Sequence, residues 1–315
     1  EKMLVYKNKK KMSTPKKVII AICTVIVVLV LAGFCIFKYL FSDLTINSIT
    51  DDISELGITT NSKDLYSSKD IVNIALFGLD GRDQAVDSGR SDSIMIVSLN
   101  KSNKNVKLIS ILRDSYVAID GHGHEKINHA YAYGGPVLAI KTINQNFNMN
   151  IKDYVTANFA QFASVVDAVG GVMVDITESE MAEINNNSTQ KLNTYGTVHL
   201  NGEQALAYSR IRNLDGDSVR ANRQKKVIES IASSLKSSSM TQYIKLVRSV
   251  MPMLETSLSY NDIIGLYPFL SYESIDETSV PGPQENAIGG MYEGAWVYRY
   301  DLNAASDRIY KFICE

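Results

Sequence analysis

Residues 18–37 read VIIAICTVIVVLVLAGFCIF, twenty consecutive residues without a charge. As a helix rising about 1.5 Å per residue, this run is roughly 30 Å long, one bilayer hydrocarbon thickness. The sequence therefore predicts a single membrane-spanning helix over 18–38. A cleaved leader fits less well, because its apolar core runs to about 7–15 residues and ends at a small-residue cleavage site. Leu31-Ala32-Gly33-Phe34-Cys35 is one residue out of step with a lipoprotein cleavage box, so no lipid anchor is expected. Seven lysines precede the span and only Lys38 sits at its far end. The positive-inside bias then places the basic tail 1–17 in the cytoplasm and everything beyond about residue 40 outside the cell. The first residue is Glu1, so translation is expected to start upstream, or at Met3 or Met12.

The formal net charge of −2 hides an asymmetry: residues 1–38 carry eight lysines against Glu1, a net of +7, and the rest of the chain is at −9. The basic part belongs to the expected anchor, which argues against nucleic acid as a partner. Cys23 and Cys35 fall in the span and leave Cys314 as the only thiol outside, so no intramolecular disulfide is expected there. The outer domain must rest on its apolar core, and a domain of 71–315 is long enough to build one.

Residues 39–70 are polar and short-periodic, as suits a juxtamembrane stalk or accessory element. From Ile71 the pattern changes to short apolar runs, IVNIALF (71–77), SIMIVSL (93–99) and VKLISIL (106–112), each predicted as a strand. A helix is predicted from Gly134-Gly135-Pro136 to about Phe147. The segment 154–159 reads as a strand, 160–169 as a helix stopped by Gly170-Gly171, and VMVDI (172–176) as a further strand, together a crossover unit. Asn201 to Arg212 reads as a short helix or turn, 220–235 and 239–254 as helices, and the segment up to Asp301 as strand and loop punctuated by proline and glycine. This order predicts an α/β fold with helices on both faces of one sheet.

Three constellations could carry chemistry. Asp80 and Asp92 both stand at strand ends, where ligands gather in open α/β sheets, and two such carboxylates can share a hard divalent cation; an ordinary turn and a strand cap are the plainer reading. Of ten arginines, seven fall in short motifs: Arg82, Arg90, Arg113, Arg210, Arg212, Arg220 and Arg223. The tail uses lysine, a solvated point charge, whereas arginine presents a rigid fork matched to phosphate oxygens. In an acidic domain, gathered arginines predict a polyanion site. Surface ion pairing accounts better for any one of them alone, and less well for seven. Finally, His122, His124 and His129 have a spacing that could hold zinc, but Gly121 and Gly123 and the lack of a nearby cysteine favour solvated loop histidines. A P-loop, a dinucleotide fingerprint and a nucleophile elbow are all missing from the sequence.

The ordered strings Leu76-Phe77-Gly78-Leu79-Asp80-Gly81-Arg82, Arg90-Ser91-Asp92-Ser93, Ser110-Ile111-Leu112-Arg113-Asp114, Lys126-Ile127-Asn128-His129-Ala130-Tyr131, Val166-Asp167-Ala168-Val169-Gly170-Gly171 and Leu200-Asn201-Gly202-Glu203-Gln204-Ala205 through Arg210-Ile211-Arg212 to Arg223-Gln224 resemble the LytR-CpsA-Psr family over roughly residues 70–235. The resemblance implies a single α/β/α domain with a central mixed sheet, an apolar tunnel for a polyprenyl lipid and an arginine-lined mouth for its pyrophosphate. It implies a phosphotransferase, on a Gram-positive cell membrane, that moves a glycopolymer (teichoic acid, capsule or another wall polysaccharide) from undecaprenyl pyrophosphate to a peptidoglycan sugar hydroxyl. Carried over by motif, Asp80 and Asp92 would hold Mg²⁺, with Mn²⁺ as the alternative. Arg82, Arg90, Arg113, Lys126, Arg210, Arg212, Arg220, Arg223 and Gln224 would bind the pyrophosphate, with Asp80, Asp92, Arg90 and Arg113 the catalytic set and Asp92 the candidate base. Two departures stand out: Leu112 where the family usually has proline, and His129 where a small residue is commoner. A pyrophosphate hydrolase using water as acceptor, and a non-catalytic lipid-binding regulator, are the competing readings.

Overall fold

The computed structural model describes residues 52–67, 70–79 and 89–314. The expected tail, the expected membrane helix over 18–38, Asp80 and Arg82 lie outside the described residues. Among the described residues, no helix is long and apolar enough to cross a membrane.

Among the described residues, six strands form a central mixed sheet: β1 (Ile71–Leu79), β2 (Ser91–Asn100), β3 (Val106–Ile111), β6 (Asp153–Asn158), β9 (Glu255–Thr256) and β10 (Ile275–Val280), in the order β10-β3-β2-β1-β6-β9. β1 runs parallel to β6 and β10 parallel to β3, and the other neighbours are antiparallel. Three two-stranded ribbons sit outside it: β4 (Tyr116–Ile119) with β5 (Gly123–Lys126), β7 (Val172–Ile176) with β8 (Gly196–Leu200), and β11 (Ile288–Tyr292) with β12 (Ala295–Arg299).

The three apolar runs from 71, 93 and 106 are strands as expected, and their two-residue alternation sorts the sheet into two faces. Ile71, Ala75, Phe77, Ile94, Ile96, Ile109 and Ile111 point to one face and enter the main core. Helix α1 (Thr60–Ser67) contributes Tyr66 to that core, α2 (His129–Phe147) contributes Ile140 and Ile143, and the C-terminal helix Leu302–Cys314 contributes Ile309 and Ile313. Leu56 and Ile58 belong to it too, so the folded body starts well before Ile71. Helix α2 breaks where the sequence places its Gly-Gly-Pro: Gly135 sits at φ 61°, a left-handed conformation glycine adopts without a side-chain clash. The helical turn from His129 before that break was not expected.

The opposite face is covered by α3 (Phe159–Ala168) and α6 (Asp217–Lys236), with Tyr243 of α7 (Met240–Val250) beside them, and the short α8 (Tyr260–Gly265) follows in the chain. Between α3 and α6 lie α4 (Glu178–Asn187) and α5 (Gly202–Ser209), and the C-terminal helix is α9. The expected α/β/α layering is therefore present. The expected crossover is corrected: after α3 the chain does not return to the sheet, because β7 pairs antiparallel with β8 in a separate ribbon. The reason is in its sequence. Val172, Val174 and Ile176 are buried while Met173 and Asp175 are exposed, the alternation of a strand wet on one side, whereas a strand inside an α/β sheet is apolar on both. The ribbon closes a second small core with Val166, Ile184, Tyr208 and Val227.

Candidate functional site

The sheet face under α3 and α6 is hollow. A cavity of about 290 Å³ is walled by Ile74, Leu76, Val97, Leu108, Ile228 and Leu235 among others. A neighbouring cavity of about 220 Å³ shares Leu76, Val155, Ile228 and Ile231 with it and adds Met95, Phe159 and Phe162. A third, of about 500 Å³, shares Asp92, Phe159, Leu206, Ser209, Arg210 and Gln224 with the second and adds Arg212, Arg220, Glu183 and Glu203. The three follow one another from an apolar interior to a charged mouth.

Helix α6 displays that gradient in one stripe. Arg220, Gln224, Ile228, Ile231 and Leu235 recur at helical spacing, so they share one face, and all five line these cavities. From Arg220 to Leu235 the stripe is roughly 22 Å long at 1.5 Å per residue. The mouth is also set by local sequence. Asn201 caps α5, accepting from the Gln204 N–H while the Gln204 side chain accepts from the Asn201 N–H. This capping box fixes the helix start, the helix ends at Ser209, and Arg210 and Arg212 follow directly at the rim.

Asp92 is the centre of the charged cluster. In β2, Ser91 pairs with Leu79 and Ser93 with Gly78, which leaves Asp92 as the extra residue of a β-bulge, a device that re-aims a side chain beside a site. Its Oδ1 accepts from Arg113 Nη1 at 2.9 Å, its Oδ2 pairs with Arg212 Nη2 at 3.3 Å, and its backbone oxygen accepts from Arg220 Nη2 at 3.2 Å. Arg210 lies over the Phe159 ring at 4.3 Å. Gln224 accepts from the Ser93 hydroxyl at 2.9 Å. Arg113 also faces Asp114 at 3.5 Å, and Asp114 holds Lys126 at 2.9 Å, so one carboxylate couples two expected phosphate ligands. Arg90 is exposed and lies 3.3 Å from His129 Nε2, whose Nδ1 is 3.4 Å from Glu125.

Of the described residues expected to bind pyrophosphate, Arg113, Arg210, Arg212, Arg220 and Gln224 gather around Asp92 and the mouth, with Lys126 joined through Asp114 and Arg90 held beside His129. Arg223 does not join them. Its side chain is 3% exposed and its nitrogens go to Glu180 at 2.7 Å, to Asp215 at 2.7 and 2.8 Å, and to the Ile211 carbonyl at 3.1 Å. Burial alone would lower its pKa, but the hydrogen bonds and charges of Asp215 and Glu180 outweigh that and raise it. Likewise burial opposes the charged form of Glu180, yet bonds from the Thr177 N–H and Arg223 hold its carboxyl below the usual range. Arg223 is therefore a brace for the loop carrying Arg212, and the expectation of a phosphate clamp is corrected. Spacing could have shown this: 223 lies roughly a quarter-turn off the α6 stripe.

The three histidines do not gather as a metal site, although His122 and His129 both meet the Tyr133 ring. His122 stacks on Tyr133 at 4.1 Å, His124 neighbours Tyr116 at 5.6 Å, and His129 is taken by Glu125 and Arg90; among the described residues no group of three or more potential ligands could hold a metal. For magnesium, the donor chemistry fits in one respect. Asp92 offers hard oxygens beside the polar cavity of about 500 Å³, which suits an ion carried largely by substrate phosphates with one or two carboxylates. Sequence reasoning missed Phe159, Ser93, Asp114 and the buried Ser209, whose hydroxyl has no hydrogen-bond partner among the described residues at the junction of the charged and apolar cavities. Asp114, adjacent to Arg113, and Ser93, adjacent to Asp92, carried a signal as members of the quoted motifs.

The "Polyisoprenyl-teichoic acid--peptidoglycan teichoic acid transferase TagT" of Bacillus subtilis (strain 168) is 36% identical over 248 residues, 76% of this chain and 75% of that protein. The corresponding TagU of Enterococcus faecalis (strain ATCC 700802 / V583) is 36% identical over 299 residues, 92% of this chain and 94% of that protein. A solved structure described as "LytR-CPS2A-psr family protein YwtF (TagT) with bound octaprenyl pyrophosphate lipid" superposes with a TM-score of 0.62 at 30% identity, covering 78% of this chain and 89% of that one. The model of the LytR_cpsA_psr family matches residues 37–311, and the chain belongs to that family.

Proposed function

We propose that this chain is a membrane-anchored phosphotransferase that moves a glycopolymer, in the teichoic acid class, from undecaprenyl pyrophosphate to a hydroxyl of peptidoglycan. The observation that carries this reading is the α6 stripe. A lipid diphosphate needs an anionic head site continuous with an apolar channel, and Arg220 and Gln224 lead into Ile228, Ile231 and Leu235 on one helix face. The names of the related transferases and the prenyl pyrophosphate bound in one of them support it. The expected single span over 18–38, with the N-terminus cytoplasmic and the domain outside, would hold the enzyme beside its lipid and raise the effective substrate concentration.

In the transfer, the acceptor hydroxyl oxygen attacks the phosphorus that bears the glycopolymer, and its proton passes to Asp92, the candidate base. The bridging P–O bond breaks, the polymer becomes a phosphodiester on peptidoglycan, and the lipid leaves as a monophosphate. Charge builds on the phosphoryl oxygens and the leaving phosphate, so preorganised cations in a water-poor site are the main source of rate. Arg113 and Arg212 are held in place by Asp92 before substrate arrives, and Arg210 is packed on Phe159. Mg²⁺, held by Asp92 with Asp80 and the substrate phosphates, would supply further charge neutralisation.

The test is transfer of a lipid-linked polymer to peptidoglycan by purified full-length protein. Arg113→Ala is expected to lower the rate at least about a hundredfold, the scale of losing one preorganised charge donor, and unchanged transfer would sink the assignment. Lipid monophosphate release without acceptor, at the rate of the full reaction, would make the protein a hydrolase instead.

A further inference from the structure

The charged mouth is lined by residues no later in the chain than Gln224, yet the turn that presents Arg113 is held from beyond Ser279. Leu112, Arg113, Asp114 and Ser115 follow β3 directly, and the Ser115 N–H donates back to the Leu112 carbonyl at 3.0 Å. On one side the Leu112 N–H donates to the Val280 carbonyl at 2.8 Å, one step past the Ile111–Val280 pair, so the ladder between β3 and β10 runs on into the turn. A proline at 112 could not make that bond, since it has no N–H to give. On the other side the Tyr298 N–H of β12 donates to the Asp114 carbonyl at 2.8 Å, and Ser115 bridges to Tyr298.

A further tie is made by side chains. Ser115 has no exposed surface, and its Oγ accepts from the Tyr300 hydroxyl at 2.9 Å. Tyr300 stands between β12 and α9, its ring packed against the main core. It does not line the mouth, and it falls in none of the ordered motifs that carry the family resemblance. Asp92 at 2.9 Å and Asp114 at 3.5 Å aim the Arg113 guanidinium at its far end. The Tyr300–Ser115 bond acts at the near end, on the backbone from which that side chain starts.

We propose that Tyr300 is a positioning residue for the transfer, fixing through Ser115 the turn on which Arg113 meets the substrate phosphate; this rests on the transfer reading above. Charge developing in a transition state is stabilised by donors already aimed at it, so a small misplacement costs rate even when the donor itself is still present. A buried hydroxyl pair suits that task. Ser115 deprived of its donor is left with an unmet polar atom, and the turn can recover the bond only by moving. The C-terminal segment thereby takes part in the site without touching substrate.

The experiment measures transfer of a lipid-linked polymer to peptidoglycan by full-length protein carrying Tyr300→Phe, Ser115→Ala, the two together, and Tyr300→Phe combined with Arg113→Ala. Tyr300→Phe keeps the packed ring and removes one oxygen. It is expected to slow transfer about tenfold, roughly 1.4 kcal/mol. Ser115→Ala should do the same, and the pair together should be no slower than either alone, because both remove a single shared bond. In the Arg113→Ala background Tyr300→Phe should change the rate by less than about twofold, since the residue it positions is gone. A merely structural role would cost the same factor with Arg113 as without it. Wild-type transfer by Tyr300→Phe, or an equal loss in both backgrounds, overturns the proposal while slow transfer by Arg113→Ala leaves the transferase reading standing. Wild-type transfer by Arg113→Ala removes the phosphate role of Arg113, and with it both readings.

Discussion

The two faces of the central sheet are made by alternate residues of the same strands, yet one is filled and the other hollow. On the filled face Ala75, Ile96 and Ile109 have no exposed surface and meet α2 and α9 side chain to side chain. On the other, Leu76, Val97 and Leu108 face an apolar space that α6 roofs and does not fill. Composition does not separate them, since both are aliphatic. What separates them is the helix above: α2 brings Ile140, Ile143 and Phe147 down onto the sheet, whereas α6 stands over a channel. A close-packed interior resists change of volume, so a channel kept open in one is a place where something else is meant to pack.

This contrast can be broken most directly by truncation. Ile96→Ala on the filled face is expected to cost about 2–5 kcal/mol, since it opens a void where none existed. Leu76→Ala, which enlarges an existing space, should cost clearly less in the same denaturant unfolding experiment. Equal losses would mean that the two faces are packed alike.

Filling the channel sharpens the contrast from the other side. Ile231→Trp is expected to weaken prenyl pyrophosphate binding about a hundredfold, roughly 2.7 kcal/mol, with unfolding stability within about 1.5 kcal/mol of the wild type. Undiminished binding would place the lipid elsewhere.

The smallest effect is one of pH. On the filled face, burial pushes the Tyr131 phenol up to about 12 despite its hydrogen bond with Thr156 at 3.1 Å. A pKa raised by folding means that the folded state favours the neutral phenol. That stabilisation is fully present below the unfolded value of about 10 and is lost as pH climbs through about 12. Tyr131→Phe should flatten this part of the stability profile between those values, and an unchanged alkaline decline would contradict the assignment.

Much of the fold could be read from the sequence, because β1, β2 and β3 are dense apolar runs and the Gly-Gly-Pro at 134–136 marks a helix boundary. The return of the chain after α3 could not be followed, since strand pairing is decided by partners far along the sequence. The alternation of VMVDI was the clue that it left the sheet. Tyr66 and Leu56 were hidden in a polar stretch where two buried side chains set no visible period. At the site, the arginine motifs pointed to Arg113, Arg210, Arg212 and Arg220, since their residue type and clustering bear on phosphate. Arg223 shows the limit of that argument: charge type says nothing about which partner is already beside it, and Glu180 and Asp215 had claimed this one. Phe159 matters through Arg210, which lies over its ring, and residue type alone does not encode that.

In the proposed function the hollow face and its arginine mouth hold a polyprenyl pyrophosphate donor. Mass spectrometry of lipid extracted from the purified full-length protein tests it in one step. A polyprenyl chain bearing phosphate or pyrophosphate is expected in the wild type and absent from Ile231→Trp. Wild-type protein that retains only bulk membrane phospholipid, or the same polyprenyl lipid held equally by both proteins, would contradict it.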